Sequence, residues 1–264
     1  MPPLVYETVA WLRYYTCLPI PPLPGETAPD AAPDLSRTAH AVPLAGALIG
    51  AIGGLVLILA WGLRLPAFIA AALALAALVI VTGALAEQAL AASAEQFGKS
   101  QAAERGGART GARIVSYGAI ALVLMVLMRV GAIEGLVAVG TLKAALALIA
   151  ACAVSRAAAA SFALTQSASR SESEGAAVAV QGLDVAAFQR LAIVALVVGA
   201  AAILPAYGIG PAVAGLAAAT GAAAIVSTQV PRYAAIGGRE LSGAAEQAAE
   251  IAFLIAVLAF ARGG

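Results

Sequence analysis

LAIVALVVGAAAILPAYGIGPAVAGLAAATGAAAIVSTQVP, residues 191–231, runs for 41 residues without one charged side chain. A helix rises about 1.5 Å per residue and a bilayer core is about 30 Å thick, so one crossing takes roughly 20 residues. The stretch is long enough for two crossings, and Pro205, Gly208, Gly210 and Pro211 mark the turn between them. Toward the N-terminus the pattern repeats. Residues 41–63 and 65–86 carry no charge, and Arg64 and Pro66 separate them, which predicts an apolar hairpin. Residues 114–128 are also uncharged, and Arg129, Glu134 and Lys143 then read as a short turn region before a fourth span over 136–154 that extends past Arg156. The last apolar run, 251–261, is too short to cross alone. Its helix is expected to begin near Ser242, with Glu246 and Glu250 on a face turned into the bundle.

These runs predict an all-α fold, a polytopic integral membrane bundle of about seven transmembrane helices, with residues 1–264 as one membrane-embedded domain. Composition agrees. The chain is 62% hydrophobic and 11% charged, against about 25% charged in soluble domains, and its mean hydropathy is +0.95. A net charge of +1 gives no basic footprint for nucleic acid. Residues 1–40 are polar and Pro-rich, unlike a cleavable leader. Gly46, Gly50 and Gly54 repeat a small-xxx-small spacing, which predicts close helix packing. Cys17 and Cys152 read as small apolar fillers, and one histidine, His40, cannot build a zinc site.

Seven spans put segments 1–40, 87–113, 156–190 and 230–250 on one membrane face. The other face keeps Arg64, Arg129, Lys143 and Arg262, so eleven of the 15 Lys and Arg residues gather on the first. The positive-inside rule makes that face cytoplasmic. It also holds every acid except Glu134, which favours an enzyme working at the membrane surface over a transport path. Glu87 and Glu95, eight residues apart, share one helix face and either hold a divalent cation or simply face water. Arg156, Arg170, Arg232 and Arg239 either clamp phosphate or only record topology. Glu246 and Glu250, one turn apart, are either intramembrane functional acids or the exposed start of a helix.

Several short elements, spread over nearly the whole chain, resemble one family. Arg13-Tyr14-Tyr15 leads to Leu18-Pro19-Ile20-Pro21, and Val42-Pro43-Leu44-Ala45-Gly46 precedes Gly50. Gly83-Ala84-Leu85 opens a stretch in which Glu87, Leu90, Ala91, Ala94, Phe97 and Gly98 follow. Arg113-Ile114, Tyr117-Gly118, Ser155-Arg156, Arg170 and Gly237-Gly238 through Gly243-Ala244-Ala245 to Glu250 complete the set. Together they resemble the adenosylcobinamide-GDP ribazoletransferases, or cobalamin synthases, of bacterial inner membranes.

The resemblance implies a multi-pass inner-membrane enzyme, with its active side cytoplasmic, in the last steps of cobalamin biosynthesis. It would join adenosylcobinamide-GDP to α-ribazole, or its 5'-phosphate, and release GMP with Mg²⁺. It implies Glu87, Glu95 and Tyr117 as catalytic residues. Arg113, Arg156 and Arg170 would bind substrate phosphate, and Glu87, Glu95 and Glu240 would hold the metal. The chain departs from the family at acidic and neighbouring positions. Ala86 stands for the signature histidine, and Gln88, Ala92 and Glu95 stand for its aspartates. Gly111 replaces another aspartate, and Gly238-Arg239-Glu240 replaces a T-G-D triplet. Fewer anionic ligands predict weaker metal binding and reduced turnover. The alternative is a catalytically inactive paralogue acting as a membrane scaffold for other cobalamin-pathway enzymes.

Overall fold

The computed structural model of the chain describes residues 3–26, 31–104, 116–171, 185–228 and 238–262. Its regular elements are helices: α1 (Pro3–Tyr15), α2 (Leu35–Thr38), α3 (Val42–Gly62), α4 (Ala67–Val81), α5 (Leu85–Glu104), α6 (Tyr117–Val139), α7 (Thr141–Ser171), α8 (Val185–Tyr207), α9 (Ile209–Ser227) and α10 (Gly238–Arg262). Among the described residues six helical stretches are long and apolar enough to cross a membrane, and a bent pair makes a seventh. Over its described part, 191–228, the charge-free run folds as expected, with α8 and α9 meeting at Gly208, whose φ of 80° suits glycine.

The spanning part of α7 is the centre of the bundle. Of its apolar window 78% is buried, against 17% for α9 at the margin. The glycine seam of α3 lies directly on it. A Cβ at Gly46 would stand 2.5 Å from the Cys152 carbonyl oxygen, and one at Gly50 would stand 2.7 Å from that of Leu148. A Cβ at Gly54 would sit 3.1 Å from the Ala145 Cβ. Side chains there would push two backbones apart, so the small residues set the helix spacing. Cys17 and Cys152 are both free thiols, and Cys152 is buried in this seam.

Two expectations need correction. The second apolar run is not one straight crossing. Helix α4 has 15 residues, about 22 Å of rise, and the chain then bends by 89° into α5. Gly83 and Ala84 take positive φ values of 62° and 56° at the bend, and a Cβ on Gly83 would meet the Cys17 sulfur at 2.6 Å. Broken helix exposes backbone polar groups, which lipid cannot satisfy. Here they are covered: Cys17 N–H donates to Val81 O (2.8 Å), Ala84 N–H to Val79 O (2.9 Å) and Gln88 Nε2 to Gly83 O (3.2 Å).

The second correction concerns Arg129 and Glu134. They are not in a turn region but inside α6, Lys143 of the same expected turn lies in the first turn of α7, and the turn is Gly140 alone, with φ 154°. Arg129 lies twelve residues into α6, about 18 Å along its axis. A charge inside a span reads as a loop because intramembrane charge is rare. This one is tolerated because acids from two other helices meet it.

On the polar side α1 closes over the bundle. Trp11 Nε1 donates to the Thr38 carbonyl (3.1 Å) and hydroxyl (3.0 Å), and His40 Nε2 lies 2.9 Å from Glu7. His40 thus ties α1 to the start of α3 and takes no part in the cavities below.

Candidate active site

Helices α5, α6, α7 and α10 converge where α4 breaks, and their polar residues form a buried knot. Arg129 Nη1 donates to Glu87 Oε1 (3.0 Å) and Gln247 Oε1 (3.2 Å), and Nη2 donates to Glu250 Oε1 (2.5 Å). Gln247 Nε2 donates to the same Glu87 oxygen (3.1 Å). Beside them Arg156 Nη1 donates to Cys152 O (3.2 Å), its Nη2 stands 3.5 Å from Glu246 Oε1, and its guanidinium lies 5.9 Å from the centre of the Tyr15 ring. Arg129 is 2% exposed and Glu250 1%. Charges this deep persist only when paired. Three acid side chains, Glu87, Glu246 and Glu250, face two guanidiniums. Glu87 Oε2 and the Nε of both arginines are buried without a hydrogen-bond partner among the described residues, and such atoms call for ordered water. Burial pushes the Tyr15 phenol above its ordinary range, and the Glu246 carboxylate adds to the rise. Tyr15 therefore stays neutral beside the knot.

This knot lines a small inner cavity. A second, wider cavity opens next to it, of about 1230 Å³ including its mouth. Tyr15, Leu85, Ala86 and Glu246 line both. The wide cavity has an aromatic side of Trp11 and Tyr14, a floor of Ala89, Ala92, Ala159 and Ala160, and polar groups on Gln88, Glu240 and Ser242. Its walls come from α1, α2, α5, α7 and α10. The bend at Gly83 and Ala84 carries the signature stretch away from the axis of α4, so that Ala86, Gln88, Ala89 and Ala92 face this space.

The expected site residues separate. Glu87 belongs to the inner knot. Glu95 instead accepts a hydrogen bond from the Gly118 N–H (2.9 Å), fastening α5 to the first turn of α6. The Tyr117 ring lies against Gly98, leaving no room there for a Cβ, and lines neither cavity. Arg156 lines the inner cavity and Glu240 the wide one. Arg113 lies outside the described residues, as does the side chain of Arg170 at the end of α7.

Magnesium finds no cradle in Glu87, Glu95 and Glu240: these carboxylates have different neighbours, and among the described residues no three His, Cys, Asp or Glu side chains stand close enough to hold a metal ion. Sequence reasoning missed Arg129 and Gln247. A usable signal was present: two acids one turn apart inside a helix need a cation, and Arg129 is a lone cation inside an otherwise apolar 17-residue run, 117–133.

Residues 7–258 match the family model described as cobalamin-5-phosphate synthase. A protein of Azorhizobium caulinodans named adenosylcobinamide-GDP ribazoletransferase is 40% identical over 262 residues, covering 98% of this chain and 97% of that one. One of the same name from Xanthobacter autotrophicus is 41% identical over 267 residues, covering 97% of each. A third, from Rhizobium etli, is 36% identical over 228 residues, covering 84% of this chain and 86% of its own. No solved structure matches the chain. Matched over nearly its whole length, the chain belongs to the cobalamin-5-phosphate synthase family.

Proposed function

We propose that the protein is an adenosylcobinamide-GDP ribazoletransferase working at the cytoplasmic face of a bacterial inner membrane. The near-complete, co-linear likeness to proteins of that name carries the reading. In the transfer, a hydroxyl of α-ribazole, or of its 5'-phosphate, attacks the phosphorus next to cobinamide. The new O–P bond forms as the bond to the bridging diphosphate oxygen breaks. GMP leaves with that electron pair, the hydroxyl proton passes to solvent, and adenosylcobalamin or its 5'-phosphate results. Such a transfer is mostly positioning and charge neutralisation. A wide cavity beside a buried knot of paired charge supports this reading, as does the charge asymmetry that the positive-inside rule reads as a cytoplasmic active side. No step is assigned to a metal held by Glu87, Glu95 and Glu240, since those residues do not converge.

One observation favours a second reading. The signature positions that reach the wide cavity, Ala86, Gln88 and Ala92, are all uncharged. A family member lacking ionic groups there suits a catalytically inactive scaffold for other corrinoid-pathway enzymes. One experiment separates the two. Purified protein in nanodiscs receives donor and α-ribazole, with and without Mg²⁺, and GMP release is followed. Release above background supports the transferase, and none supports the scaffold. The double variant Gln88→Asp/Ala92→Asp is expected to raise Mg²⁺-dependent release by at least about tenfold. A folded double variant with unchanged release would remove the correspondence between these positions and the family's aspartates.

A further inference from the structure

We propose that the wide cavity seats the guanine base of the nucleotide donor, with Tyr14 against its ring and Glu240 accepting its N1–H and 2-amino hydrogens. This rests on the transferase reading only for the presence of a guanine nucleotide. The site itself follows from the walls of the cavity.

Its described lining holds two carboxylates, Glu240 and Glu246, and no Lys, Arg or His. Phosphate groups are repelled by such a wall. A neutral ring with N–H donors is attracted to it. Ala86, Ala89 and Ala92 of α5 and Ala159 and Ala160 of α7 line the same space. Their methyl groups offer apolar contact and no hydrogen bond, which suits the faces of a heterocycle rather than a charged group.

Two of the polar lining residues are already engaged. The Glu246 carboxylate faces Arg156 at 3.5 Å, and the Ser242 hydroxyl donates to Ala159 O (3.1 Å). Glu240, half-buried on the first turn of α10, is the carboxylate that the inner knot does not use.

Tyr14 is the aromatic partner. It is 41% exposed, and its plane is fixed by two edge contacts, to Trp11 (5.4 Å, 82°) and Tyr15 (5.2 Å, 86°). Trp11 is anchored in turn by Thr38. A ring held this way stacks on a base with little loss of freedom.

The chemistry then selects among the ring systems of the reaction. A glycosylated benzimidazole has no N–H donor for a carboxylate, and a corrin is far broader than the alanine floor. Guanine presents two parallel donors on one edge, the fork that a carboxylate accepts.

Affinities of GMP, IMP and AMP for the full-length protein in nanodiscs test this by saturation-transfer NMR and calorimetry. IMP keeps the N1–H and lacks the 2-amino group, and AMP lacks both. GMP is expected to bind about tenfold more tightly than IMP, the difference of one charge-assisted hydrogen bond, with AMP weakest. In Glu240→Gln the preference of GMP over IMP should vanish. In Tyr14→Ala both should weaken together by about tenfold. Equal binding of GMP and IMP to the unaltered protein overturns the proposal, as does a preference that survives in Glu240→Gln or displacement of GMP by α-ribazole in simple competition. If GMP is discriminated but no transfer occurs, the base site stands and the transferase reading falls. Transfer without discrimination has the reverse meaning.

Discussion

Two cavities share a wall, and their chemistry is opposite. The inner one is filled with charge held in place: Arg129 is bound by acids of α5 and α10, and Arg156 by Glu246 of α10 and a carbonyl of its own helix, at 2.5–3.5 Å. The wide one is alanine-floored, open and uncharged apart from Glu240 and Glu246. In a bundle of small residues, hydrophobic burial between helices adds little once the helices are in lipid, and packing and polar contacts must fix their relative positions. The knot does this by tying α5, α6, α7 and α10 at one point, on the side that the wide cavity shares with it. Deep charge here fixes how four helices sit against one another.

Breaking the knot should give the largest effect. In Arg129→Met, Glu87 and Glu250 lose their guanidinium partner inside the bundle, and stability should fall by about 3–5 kcal/mol. The triple variant Arg129→Met/Glu87→Gln/Glu250→Gln should lose less than the single one, because no charge is left unpaired. Unfolding midpoints in detergent, followed by size-exclusion chromatography, decide it. A triple variant weaker than Arg129→Met would mean that the knot acts through packing rather than charge.

The glycine seam should come next. Gly46→Val would drive side-chain atoms into the Cys152 carbonyl, and overpacking of this kind typically costs about 1–3 kcal/mol. Gly131 on α6 is the internal comparison, since nothing lies within 4 Å of a Cβ placed there. Gly131→Ala should be neutral or stabilise by up to about 1 kcal/mol through helix propensity. Equal losses at both positions in the same thermal assay would show that the seam is not a close contact.

Much of this arrangement is legible in the sequence. The charge-free runs give the bundle, Pro205 through Pro211 give the α8–α9 turn, and the glycine spacing gives a close-packed face on α3 though not its partner, because each is a local pattern acting over one or two helices. Glu246 and Glu250 are also readable as inward-facing from their spacing. For Arg129 the sequence shows a lone cation in an apolar run, but not its partners, which lie 42 and 121 residues away and are brought to it only by the folded bundle. The α4 break is hidden for a different reason. Residues 65–86 are long and apolar enough for a straight span, and nothing local requires Ala84 to take a positive φ. The separation of Glu87 from Glu95 runs along α5 itself: eight residues are about 12 Å of helix rise, so Glu87 reaches the knot while Glu95 reaches the first turn of α6.

The smallest expected effect lies at the rim, where an ion pair meets water. Arg13 Nη1 and Nη2 donate to the two Glu26 carboxylate oxygens (2.6 and 3.0 Å), and Leu23 N–H donates to one of them (2.9 Å). Arg13 also holds Ile20 O and Pro21 O, so the pair shapes the segment after α1. The Arg13 side chain, and then the Leu23 amide, hold the Glu26 carboxyl below the usual glutamate range. A carboxyl lowered in the folded state stabilises fully above its unfolded value of about 4.3. That contribution is lost as pH falls through the folded value. Glu26→Gln should therefore be less stable than the parent at pH 7, and the gap in unfolding midpoint should close as pH is lowered below about 4. Arg129→Met should keep most of its deficit over the same range if the knot is shielded from solvent. A Glu26 gap that stays constant from pH 7 to pH 3 would show that this pair does not titrate with the fold.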